Sequence, residues 1–139
     1  MVHGLFKWTM PCKRREDAKA AAEDTARNAG WSLTIGASVA TCEKGTSAGV
    51  GVAARSYVGL GEAATEPNTD VMRSRIKSAW LPTIVRGGVH LFTAYFWTNE
   101  PLHSVRNAAM LDLLNQTIDN VSGPWILGAD WQNPPLHLK

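Results

Sequence analysis

The segment Val89-His-Leu-Phe-Thr-Ala-Tyr-Phe96 constrains the fold most. Read as a strand, it is apolar on both faces, so neither face can be left to water. Such a strand is central in its sheet and needs a packed layer above and below. The rest of the chain must supply those layers.

Residues 13–30 (KRREDAKAAAEDTARNAG) predict a helix. Ala18, Ala21, Ala22, Ala26 and Ala29 fall at helical spacing, and Gly30 sits where a helix C-terminal glycine belongs. A stripe of alanines buries little area, so this helix should lean on a partner layer. From Trp31 the period changes to two. Residues 31–41 and 49–55 predict the arms of a hairpin around a turn at 42–48. Residues 59–70 have loop composition. Residues 71–80 alternate sharply and predict a third strand, with Met72, Ser74, Ile76 and Ser78 on one face and Arg73, Arg75 and Lys77 on the other. Pro82 and Gly87-Gly88 bracket a turn before the central strand. Ser104 is placed to cap a helix over 105–121, whose stripe is Leu111, Leu114, Ile118 and Val121. Gly123-Pro124 ends it, and PWILGAD (124–130) predicts a short buried strand. The order α-β-β-β-β-α-β points to the α/β class, of the α+β kind: a mixed, mostly antiparallel sheet flanked by helices.

Composition narrows the function classes. At 139 residues, 45% hydrophobic and 19% charged, the chain is not disordered throughout. A net charge of +2 is no polycation, so charge alone does not announce nucleic acid. Cys12 and Cys42 are too far apart in sequence for a C-x-x-C pair, and reduced thiols in an intracellular protein are expected. No apolar run approaches the ~20 residues of a membrane helix, so no membrane partner is expected. The N-terminal basic residues follow the apolar ones, the reverse of a secretory signal.

Two short motifs fail on context. Gly45-Thr-Ser47-Ala-Gly49 fits G-x-S-x-G, but a nucleophile elbow leads into a helix and this one leads into a strand. Gly49-Val-Gly51-Val-Ala-Ala54 fits G-x-G-x-x-A with the same defect. His3, His90, His103 and His137 share no ligand spacing. The row Arg73, Arg75, Lys77 reads either as a charge-guarded strand or as a phosphate-facing surface, since guanidinium groups match phosphate oxygens in two-point geometry. Asp130 and Gln132, two apart at a strand end, point the same way. They read either as a turn aspartate beside prolines or as oxygen ligands for a hard divalent cation and a phosphate.

Taken in order, these segments resemble the endonuclease/exonuclease/phosphatase superfamily, the magnesium-dependent, DNase I-like phosphodiesterases. The resemblance runs over residues 14–135: Gly30-Trp31 closing a helix, SAGVGVAAR (47–55), Arg75-Ile76, TAYFWTN (93–99), an amphipathic helix, and PWILGADWQ (124–132). Within the superfamily it is most similar to the endonuclease domains that accompany retroelement reverse transcriptases. The resemblance implies a four-layer α/β sandwich, Mg2+ as cofactor and nucleic acid, DNA first, as partner. It implies that Tyr95 holds the scissile phosphate, that Asp130 orients or deprotonates water, and that Gln132, in place of the usual Asn, stabilises the phosphate. Thr98 or Asn99 falls near the family's Asn, and Trp97 replaces its proline. No Asp or Glu precedes the first helix, and no Ser-Asp-His follows Asp130. The expectation is therefore an irregular segment 1–12, a partial domain over 13–135 and a tail at 136–139. Turnover should be weak or absent, no metal-ligand set is assigned, and open sheet edges should invite self-association. The competing readings are a non-catalytic module, in which Arg73, Arg75, Lys77, Tyr95, Trp97 and Trp131 grip or stack on nucleic acid, and a non-functional mobile-element fragment.

Overall fold

The computed structural model describes residues 11–36, 39–42, 45–47, 49–63 and 69–131. Helix α1 spans Pro11–Asn28. It starts two residues before the expected point, so residues 11 and 12 are helical rather than irregular. Proline suits the first helical position because its missing N–H has no intrahelical partner there. Gly30 ends the helix with a φ of 79°, a conformation that glycine adopts without strain. The helix leans on the strand that follows. Its inward line is Lys19, Ala22, Glu23 and Ala26, while Ala18, Ala21 and Ala29 are exposed, so only part of the alanine stripe is used.

Strands β1 (Trp31–Ile35) and β4 (Gly51–Arg55) pair antiparallel, and β2 (Val39–Cys42) pairs with β3 (Gly45–Ser47). The two pairings are one hairpin with an interruption. Trp31 faces Arg55, Ile35 faces Gly51 and Val39 faces Ser47, so each step along one arm is matched on the other. The gap falls where the N–H groups of Gly49 and Val50 donate to the Ser74 carbonyl at 2.9 and 3.3 Å. Gly36 sits in the same gap, and a Cβ there would overlap the Arg73 carbonyl oxygen. Neither glycine-rich motif leads into a helix, as their rejection required.

After β5 (Gly61–Glu62), the expected third strand divides. Asp70–Arg75 is a short helix, α2, and Ile76–Leu81 is strand β6. Thr69 caps α2, its side chain accepting from the Met72 N–H at 3.3 Å. Arg73, Arg75 and Lys77 therefore do not form a row on one strand face. The first two lie in the last turn of α2 and the third lies on β6.

Strand β7 (Val89–Tyr95) is central, as its two apolar faces demand. It pairs antiparallel with β6 and parallel with β8 (Trp125–Asp130), in a sheet of order β5-β6-β7-β8. Helix α3 (Val105–Asp119) makes the crossover between β7 and β8, and Ser104 caps it, accepting from the Asn107 N–H at 3.3 Å. Met110 and Leu114 of α3 join Ile76, Phe92, Ala94 and Phe96 in the core cluster. The opposite sheet face buries Ala79, Leu81 and Val89, where β4 lies against β6 and β7 and β1 against β6. The layers run α1, hairpin, sheet, α3, a mixed α+β arrangement. β8 departs from expectation. It is the outer strand and largely exposed, with Trp125 at 48% and Ile126 at 61%. No helix among the described residues is long and apolar enough to cross a membrane.

Candidate functional site

Parallel strands deliver their C-terminal ends to one edge of a sheet, where ligands bind in open α/β sheets. Here that edge carries Tyr95 on β7 and Asp130 on β8, which face each other in the register. Strand alternation puts both on the sheet face away from α3. Lys77 and Thr93, also partners in the register, share that face. Two of the three residues expected to carry chemistry are thus neighbours, and one of the three expected cations shares their face. Asp130 is exposed, whereas Tyr95 and Lys77 are half-buried.

Arg75 has a different fate from the phosphate contact expected of it. It is 2% exposed. Its Nη1 donates to the Tyr95 carbonyl at 3.0 Å. Its guanidinium carbon lies 4.1 Å from the Trp97 ring centroid and 5.4 Å from that of Tyr95. Burial pulls its pKa below the ordinary arginine value, Tyr95 opposes that, and Arg106 adds to it. The group stays charged regardless, since arginine does not deprotonate in proteins. Arg75 thus anchors the end of β7 from behind. Arg73 is the exposed member of the pair.

The turn after β7 is fixed by a residue that sequence reasoning missed. Asn107, 1% exposed, accepts from the Trp97 N–H at 2.9 Å through Oδ1. Its Nδ2 lies 3.2–3.3 Å from the carbonyls of Trp97, Glu100 and Pro101. One amide thereby shapes residues 97–101. Arg106 pairs with Glu100 and sits 5.0 Å from the Trp97 centroid, so the half-buried Trp97 has two guanidinium neighbours. Asn99 rides this turn, exposed. The only signal was Ser104 as a cap, which places Asn107 in the first helical turn, where its amide can reach back.

Beyond Asp130, Trp131 stacks on Phe96, with centroids 5.2 Å apart and planes 22° from parallel. Gln132 lies outside the described residues, so its expected role has no geometry.

The donor set limits what a metal could do here. Among the described residues, no three His, Cys, Asp or Glu side chains gather to hold an ion. Glu100 is engaged by Arg106 and by the Ser104 hydroxyl at 2.9 Å. Asp130 is the described carboxylate at the end of β8, and it too has interactions within the chain. Magnesium accepts such a site when water and substrate phosphate complete its shell. It does not find a ready-made cage.

No family model matches the chain, and neither does any curated protein or solved structure.

Proposed function

We propose that this chain is a partial or degenerate magnesium-dependent phosphodiesterase domain of the DNase I-like kind. It holds nucleic-acid phosphodiesters, DNA first, at the ends of β7 and β8. By itself it turns over weakly or not at all. The observation that carries this reading is the pairing of Tyr95 with Asp130 on adjacent parallel strands. A phenol that donates to a phosphate oxygen and a carboxylate that takes a proton from water are two of the parts in-line hydrolysis needs. The succession of helix, hairpin, sheet and helix supports the same reading. Asp130 is the residue that would hold magnesium, and the ion would neutralise charge on the phosphate. With one carboxylate at the strand ends, a second metal ligand and a partner acid for the leaving group are not evident among the described residues.

Plasmid nicking with magnesium tests this directly. Wild type should nick slowly or not at all, and any nicking should disappear in Asp130→Ala and fall in Tyr95→Phe. Robust nicking abolished by Asp130→Ala would overturn the claim of catalytic incompleteness. Nicking untouched by Asp130→Ala would remove the site from the reaction.

A second reading, a non-catalytic nucleic-acid-binding module, is favoured by one observation. Exposed Arg73, half-buried Lys77 and the partly exposed Trp131 give the described surface cations and an aromatic ring without a metal cage. This combination grips a strand without cutting it. DNA binding without nicking would select it.

A further inference from the structure

We infer that Trp131 is a stacking platform for an unpaired nucleobase, so that the strand-end site takes single-stranded nucleic acid in preference to duplex. The inference rests on the nucleic-acid reading above and adds the form of the substrate.

The evidence is the way this indole is held. Trp131 lies immediately after Asp130, at the mouth of the candidate site. Phe96, fully buried, takes one face of the ring in a near-parallel stack. Yet Trp131 is 44% exposed. A large apolar ring fixed from one side and open on another has already lost its side-chain freedom, so a planar ligand gains the stack without having to order it. Phe96 follows Tyr95 as Trp131 follows Asp130, so alternation sends the two rings to the α3 side and Tyr95 and Asp130 to the other. A nucleotide lying across this rim sets its base on Trp131 and its phosphate toward Tyr95, Lys77 and Asp130. In a duplex the base faces are covered by their neighbours, so only an unpaired base presents a π-face to the indole. Stacking of this kind is indifferent to base identity.

Trp97 is no substitute. Its ring has guanidinium neighbours in Arg75 and Arg106. Trp125 is exposed as well, but it lies at the opposite end of β8, away from Asp130.

The test measures binding of the full chain at low salt to three fluorescein-labelled probes: a short oligothymidylate, an abasic strand of the same length, and a blunt duplex. Wild type should bind the oligothymidylate tightest. Losing the bases, or making Trp131→Ala, should weaken binding by roughly five- to 150-fold, the range for one stacked base. The salt slope should stay the same in Trp131→Ala, because phosphate contacts remain. Trp131→Phe, which keeps an aromatic ring on Phe96, should fall between the two. The abasic comparison uses wild type alone, so a poorly folding variant does not decide the outcome. Equal binding of all three probes, unchanged in the Trp131 variants, overturns the inference and leaves the nucleic-acid reading standing. No binding of any probe removes that reading, and the inference with it.

Discussion

Asn107 commits both ends of its amide to the turn that follows β7, and so the position of Asn99 depends on a residue that touches no ligand. Replacing it with alanine takes the partner from the Trp97 N–H and from the carbonyls of Trp97 and Glu100 in a half-buried turn, while the Pro101 carbonyl keeps the Ser104 N–H. Asn107→Ala should lower stability by about 1–3 kcal/mol, because a polar group left without a partner away from water costs more than a hydrogen bond contributes. Urea unfolding with an unchanged m-value measures it. Asn107→Asp should do no better, since it removes the donor and sets a carboxylate against carbonyl oxygens. Arg75 makes a related case. Its planar guanidinium donates to the Tyr95 carbonyl and lies over Trp97, and a compact ammonium does not make both contacts at once. Arg75→Lys should destabilise by about 1–2 kcal/mol, read from the same unfolding curves. At this scale the sequence was partly legible. Tyr95 and Asp130 stood out because alternation and the ends of apolar runs fix where they point. Asn107 did not, because a polar residue in a helix's first turn normally faces water.

Among the elements, α3 is legible in its start, cap and approximate end, though not in Asn107 and Met110, two of its three buried residues. Its cap, its stripe and its Gly-Pro stop all agreed, and the structure ends it at Asp119. Ser104→Ala should cost about 1 kcal/mol for the lost cap, measurable as a drop in midpoint temperature. Residues 71–80 show why a period can mislead. Met72 and Ile76 are four apart, a spacing that suits one helix face and one strand face alike. The helix is six residues long, too short for a 3.6-residue period to declare itself. Thr69 decides the matter by capping it. β8 differs for another reason: its apolar run predicts burial, yet outer position leaves Ile126 at 61% exposure. No proline or charge interrupts residues 125–129 to blunt that edge. Self-association through β8 is therefore expected, and Ile126→Lys should suppress it at little cost in stability. Light scattering over a concentration series checks this, and a series identical for both proteins would show that the edge is not the adhesive surface.

For the whole molecule, the α+β class is legible in the sequence, because a change of period marks a change of element, whereas the short elements α2 and β5 are not. Long-range relations could not be read. Nothing local announces that one hairpin continues in register across an interruption, or that the end of α2 fills the gap. Net charge is a whole-molecule property with its own consequence. At +2, with Lys77 the cation that shares the sheet face of Tyr95 and Asp130, and Arg75 beside Tyr95 buried, few counterions leave on binding. The plot of log affinity against log salt should have a slope of roughly −1 to −3. A slope several times steeper would place the main contact on a basic surface elsewhere. The outer position of β8 has a further consequence, this time for kinetics. Its described pairing is to β7 alone, so its amides should exchange with solvent by a small opening that leaves β6, β7 and α3 closed. Asp130 departs with that opening and Tyr95 stays behind. The site is therefore assembled last and dissolved first, and a ligand that bridges the two strands should slow deuterium uptake in β8 more than anywhere else in the chain.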